Sequence, residues 1–127
     1  MKDGKHVVLY VDDDQDFLDA VRVVLEANGY EMIEAGSAEE GLKTFRQSDP
    51  DFVIVDLMME EVDAGTSLVK NLKAEGCQAP VYMLSSVGDA MNLNINPSEL
   101  GLEGVLQKPV QPNTLLSILQ AKLKSQQ

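Results

Sequence analysis

The sequence is short of cysteine, of histidine and of positive charge. Its 127 residues include one cysteine, Cys77, and one histidine, His6. A lone cysteine cannot close an internal disulfide, which fits a reducing cytosol, so a cytoplasmic location is expected. Cys77 follows Gly76 in an expected loop and reads as an incidental thiol. No apolar stretch approaches the roughly 18 residues of a membrane span. The apolar run after Met1-Lys2-Asp3-Gly4-Lys5-His6 is only Val7–Val11 before three aspartates, too short for the apolar region of a secretory signal, so none is expected.

Lys and Arg number 10 against 21 Asp and Glu, for a formal net charge of −11. Such a chain repels phosphate backbones and anionic bilayers, and no direct nucleic-acid or membrane partner is expected. The acid is gathered in two windows: Asp12, Asp13, Asp14, Asp16 and Asp19, then Asp49, Asp51, Asp56, Glu60, Glu61 and Asp63. Asp16, Asp19, Asp49 and Asp51 read as solvated helix ends and loops. Acids that end an apolar run do not fit that description.

Four apolar runs end in this way. Val7-Val8-Leu9-Tyr10-Val11 stops at Asp12-Asp13-Asp14, and Phe52-Val53-Ile54-Val55 at Asp56. Val81-Tyr82-Met83-Leu84 stops at Ser85-Ser86, and Val105-Leu106-Gln107 at Lys108-Pro109. Between them lie helix-period stretches: Phe17, Leu18, Val21, Val24 and Leu25 before the stop Asn28-Gly29, and a capping box at Ser37-Ala38-Glu39-Glu40. A helix is predicted near 66–75, ended by Gly76, and a last one near 112–124. Tyr30 to Ala35 reads as a further strand. From Val87 to Asn96 the pattern Met91-Asn92-Leu93-Asn94-Ile95-Asn96 suits an irregular loop, and Asn96-Pro97 opens at most a short fourth helix.

Strands alternating with helices predict an α/β fold, a doubly wound five-stranded parallel sheet with the flavodoxin-like order 2-1-3-4-5. One domain is expected over residues 1–127, with its core over about 5–124 and no output domain. In such a sheet the site lies outside the carboxyl ends where strand order reverses. Asp12, Asp13 and Asp56 meet there.

Three carboxylates within about 5 Å repel by roughly 3 kcal/mol per pair at an effective dielectric near 20. A bound cation relieves that repulsion. Oxygen donors, with few soft ligands in the chain, favour Mg²⁺ or Mn²⁺ over zinc, and Mg²⁺ commonly bridges carboxylates to a phosphate. Lys108 supplies a compact cation and Ser85 a hydroxyl donor. Phosphoryl transfer needs charge neutralisation and in-line positioning, and Asp56, set apart from the Asp12-Asp13 pair, is the expected nucleophile. Alone, each of these residues is ordinary: an Asp after a strand is often a cap, and a lysine is usually solvated. Their joint placement at four strand ends gives them their meaning.

At this point the chain closely resembles the receiver domain of two-component response regulators, of the single-domain type. The resemblance rests on Val11-Asp12-Asp13-Asp14, Val53-Ile54-Val55-Asp56-Leu57-Met58-Met59, Met83-Leu84-Ser85-Ser86 and Gly104-Val105-Leu106-Gln107-Lys108-Pro109, in that order. It implies that Asp56 accepts a phosphoryl group from a sensor histidine kinase or phosphotransfer protein. It also implies Mg²⁺ held by Asp13, Asp56, the Met58 backbone carbonyl and, through water, Asp12. Ser85 and Lys108 match the hydroxyl and lysine that follow the phosphoryl group, and Lys108-Pro109 matches a bond that is commonly cis. Output then passes through altered docking to a downstream protein. Enzymatic turnover beyond Mg²⁺-dependent self-phosphorylation and slow autodephosphorylation is not expected.

The chain departs from the family pattern in three places. Met59-Glu60-Glu61-Val62-Asp63-Ala64-Gly65 lacks the usual proline and carries one extra residue before its glycine. Val105 stands where many receivers have a switching Tyr or Phe. The shortened fourth helix makes an ordinary output face there unexpected. An alternative is a phosphorylation-independent, receiver-like binding module, which need not bind metal. A flavin carrier is disfavoured by the acidic first loop, and a haloacid-dehalogenase-type phosphatase by Met58 where a second Asp is required.

Overall fold

Alternation of side chains along short, doubly buried strands builds this domain. The computed structural model describes residues 4–57, 64–85, 101–108 and 110–123. Its strands are β1 (Val7–Val11), β2 (Glu31–Ala35), β3 (Phe52–Asp56), β4 (Val81–Ser85) and β5 (Gly104–Gln107). All pair in parallel in the order β2-β1-β3-β4-β5, as expected from the sequence. The three inner strands are buried at every position, whereas β2 and β5 at the edges are partly exposed.

The described helices are α1 (Gln15–Ala27), α2 (Ala38–Ser48), α3 (Ala64–Ala74) and α4 (Pro112–Leu123). One sheet face presents Val8, Tyr10, Phe52, Ile54, Tyr82 and Leu84 to Leu18, Val21 and Leu25 of α1 and Leu115, Leu119 and Leu123 of α4. On the other face Leu9, Val11, Val53, Val55, Val81 and Met83 pack against Leu68, Val69 and Leu72 of α3, with Leu42 and Phe45 of α2 partly buried beside them. Burial of an aliphatic side chain of this kind stabilises by about 1.5–3 kcal/mol before entropy is counted. Phe52 and Tyr82 stack across β3 and β4, with centroids 5.3 Å apart and planes 12° from parallel.

Local signals act where the sequence places them. The Asp14 side chain caps α1 by accepting from Asp16 N at 3.0 Å, and Ser37 Oγ caps α2 by accepting from Glu40 N at 3.1 Å. The return arm of the capping box departs from expectation: Glu40 Oε1 accepts from Gly36 N at 2.7 Å, one residue before the cap. At the other end of α1, Asn28 N donates to Leu25 O and Gly29 takes φ +87°.

One reading needs correcting. Asp51 is not merely solvated: its Oδ2 accepts from Val7 N at 2.8 Å and so ties down the start of β1. Cys77 lies in a loop as expected; it is buried within the α2/α3 side of the core and its thiol faces Ala79 O at 3.6 Å. Turning the chain back after α3, where Cys77 N bonds Leu72 O, brings the small apolar thiol inward. The expected loop over 87–96 and the short helix after Pro97 lie outside the described residues.

Candidate functional site

The strand ends of β1, β3, β4 and β5 are extended by further backbone bonds, so their functional residues stand on the sheet rather than on free loops. Asp12 N donates to Ala35 O at 3.0 Å, Leu57 N to Leu84 O at 2.8 Å, and Lys108 N to Ser85 O at 2.8 Å. Asp56 itself belongs to β3, paired with Leu84, one residue later than its sequence boundary suggested. Positions built on paired backbone are held more precisely than positions on loops.

Asp12 is the most enclosed acid among the described residues, with 0% of its surface exposed; Asp56 retains 3% and Ser85 5%. Asp13, the next residue, is exposed. Oxygens of Asp12, Asp13 and Asp56 all lie within 4.8 Å of one another. Three hard donors from three residues, two of them buried, fit a divalent cation such as Mg²⁺ or Mn²⁺.

Lys108 closes the cluster. Its Nζ is 2.8 Å from Asp12 Oδ2 and 3.2 Å from Asp56 Oδ1, and its side chain is only 9% exposed. The same ammonium lies 4.2 Å above the centroid of Phe17, at the start of α1. The other bonds to Asp12 are equally specific. Its Oδ1 accepts from Asp14 N at 2.9 Å, and its Oδ2 accepts from the Tyr10 hydroxyl at 2.5 Å. Both oxygens of Asp12 are therefore engaged by the protein itself.

These contacts set the charges. Burial, then the adjacent Asp12 charge, raise the Asp56 carboxyl from 3.8 to about 7, against the opposing pull of Lys108. Burial lowers Lys108, but its hydrogen bond to Asp12 and the charges of Asp56 and Asp12 outweigh this and hold its pKa above the ordinary lysine value. Tyr10 is raised far beyond the usual phenol range by burial and by its bond to Asp12, so it remains a proton donor.

Asp12, Asp13, Asp56 and Lys108 thus meet as the sequence predicted, and Ser85 ends the neighbouring strand. Met58 and Pro109 lie outside the described residues. Tyr10 and Phe17 were read from sequence only as parts of apolar runs. The signal for Tyr10 is its place two residues before Asp12, since strand positions i and i+2 share a face.

A doubly wound parallel sheet with a carboxylate cluster and a buried lysine at its switch point defines a domain built for metal-assisted phosphoryl chemistry. A family model, "Response regulator receiver domain", matches residues 8–120, and the chain belongs to that family. Its fold and aspartyl cluster are those of a receiver in two-component phosphorelay signalling.

Among curated proteins, "Probable transcriptional regulator ycf27" of Pyropia yezoensis is 31% identical over 124 residues, which covers 98% of this chain and 50% of the relative. The "Alkaline phosphatase synthesis transcriptional regulatory protein PhoP" of Bacillus subtilis is 28% identical, with 92% of this chain and 48% of the relative covered. The chain spans about half the length of the curated relatives it matches. Among solved structures, Vibrio cholerae CheY4 is similar at a TM-score of 0.83 and 30% identity, covering 94% of this chain and 100% of that one. A receiver domain protein from Clostridium thermocellum gives 0.84 and 26%, covering 95% and 96%.

Proposed function

We propose that Asp56 accepts a phosphoryl group from a phosphohistidine on a sensor histidine kinase or phosphotransfer protein, and that the modified chain signals through altered docking to a downstream protein. The observation that carries this reading is the place of Asp56: buried, beside Asp12 and Asp13, and 3.2 Å from the Lys108 ammonium.

Mg²⁺ or Mn²⁺ bound by Asp13 and Asp56 would neutralise the phosphoryl oxygens and favour the ionised form of Asp56. The Met58 carbonyl is a further expected ligand. Because both Asp12 oxygens are already engaged, this residue is suited to act on the cation through water. In the transfer, an Asp56 oxygen forms the O–P bond as the donor's N–P bond breaks, and the electron pair stays on the histidine nitrogen. Lys108 then exchanges its contact with Asp12 for a phosphoryl oxygen, and Ser85 donates to another. Val105, half-buried against the core, gives the exchange no aromatic partner at that position.

The test is phosphorylation by acetyl phosphate or a histidine kinase. The chain takes up phosphate stoichiometrically with Mg²⁺, loses this with chelator, and Asp56→Asn takes up none. Phosphorylation that persists in Asp56→Asn overturns the assignment.

A further inference from the structure

We propose that Tyr10 is a positioning residue for this chemistry: its hydroxyl keeps Asp12 in place while Lys108 changes partner. The inference rests on the phosphoacceptor reading above.

Asp12 Oδ2 is shared by two donors of different mobility, the Tyr10 hydroxyl at 2.5 Å and the Lys108 ammonium at 2.8 Å. Tyr10 is fixed. It lies on β1, paired with Glu34 of β2 and Ile54 of β3, is 0% exposed, and packs in the core under α1 and α4. Lys108 ends a four-carbon stem with several rotatable bonds and already leans towards Asp56. A phosphoryl group on Asp56 draws the ammonium away. Asp12, with none of its surface exposed, then loses its cation.

A buried carboxylate oxygen that loses its charged partner is strongly disfavoured unless another donor remains on it. The Tyr10 hydroxyl leaves Oδ2 one charge-assisted bond, while Asp14 N still holds Oδ1. Asp12 thereby keeps its rotamer through the exchange, along with the geometry by which it helps to hold the cation. A tyrosine that served only packing would be replaced at no loss by phenylalanine, since the ring fills the same volume. The hydroxyl is the part with a separate purpose.

The test uses the full chain. In proton NMR the Tyr10 hydroxyl is expected as a slowly exchanging resonance absent from Tyr10→Phe. It should persist when the protein is loaded with Mg²⁺ and beryllofluoride, and move downfield as Lys108 stops competing for Oδ2. Failure to see it, or its loss on loading, overturns the proposal; this arm needs no variant beyond the assignment. In Tyr10→Phe, shown to be folded by its unfolding transition, the maximal rate of phosphorylation by acetyl phosphate should fall about tenfold, with little change in apparent donor affinity. A maximal rate within about twofold of wild type, where one lost charge-assisted bond predicts tenfold, overturns it. Wild type that takes up no phosphate at all would instead sink the phosphoacceptor reading, so the two failures are distinct.

Discussion

Lys108 lies closer to Asp12 than to Asp56, 2.8 Å against 3.2 Å. The lysine is thus paired first with Asp12 and only second with Asp56, the proposed acceptor. The lysine so held is within reach of Asp56, a short shift from its first partner.

Removing that cation leaves two buried carboxylates facing each other. Lys108→Met should destabilise the metal-free protein by about 3–5 kcal/mol, the range for a broken buried pair. Mg²⁺ should recover part of the loss, because it relieves the same repulsion. Urea unfolding with and without Mg²⁺ measures both; a loss that Mg²⁺ leaves untouched would count against the cluster as a cation site.

The Asp56 carboxyl sets the pH dependence. Its folded value of about 7 lies above the 3.8 expected of an unfolded aspartate. The fold thus binds a proton that the unfolded chain has released. The resulting stabilisation is complete below about pH 4 and is lost as pH rises through 7. Asp56→Asn should remove this slope and make the metal-free protein more stable than wild type at pH 8, by up to about 4 kcal/mol. Denaturation series from pH 5 to 8 in chelator would show it, and parallel curves for the two proteins would refute it.

Phe17 gives Lys108 an apolar seat with a favourable π face, 4.2 Å from the ammonium. Phe17→Leu keeps the hydrophobic contact and loses the face, at a cost of about 0.5–2 kcal/mol. The loss should vanish in a Lys108→Met background, since the partner is gone. Equal losses in both backgrounds would reduce Phe17 to ordinary packing.

Gly41 of α2 has no room to grow. A Cβ there would stand 2.8 Å from Val11 Cγ2, 3.1 Å from Val11 Cγ1 and 3.2 Å from Leu68 Cδ2. Alanine gains roughly 1 kcal/mol in helix propensity but overpacks a filled core, which costs about 1–3 kcal/mol. Net destabilisation is expected in thermal unfolding. Because Val11 directly precedes Asp12, weaker Mg²⁺ binding should accompany it; an unchanged or higher melting temperature would show that α2 can simply step back.

The sheet order and the meeting of Asp12, Asp13, Asp56 and Lys108 followed from sequence, because parallel strands must carry their carboxyl ends to one edge. What sequence could not supply was pairing across space. Tyr10 has the composition of a core strand residue, and only its bond to Asp12 distinguishes it from Val8 two positions earlier. Asp51 looked like a loop acid because its partner, Val7 N, lies 44 positions away. Cys77 was placed in its loop correctly, but a loop's inward or outward turn depends on the bonds that end the preceding helix. Those bonds leave no pattern of hydrophobicity.

The tyrosines also have an optical consequence. The chain contains no tryptophan and three tyrosines, at 10, 30 and 82. Tyr10 touches the carboxylate cluster, and Tyr82 stacks on Phe52 and covers Gly104 of β5, where a Cβ would come within 2.9 Å of its ring. Two of the three near-ultraviolet tyrosine chromophores are therefore buried, one at the carboxylate cluster and one where β5 joins the sheet. The protein carries its own probes of both places, and no label need be attached to follow them.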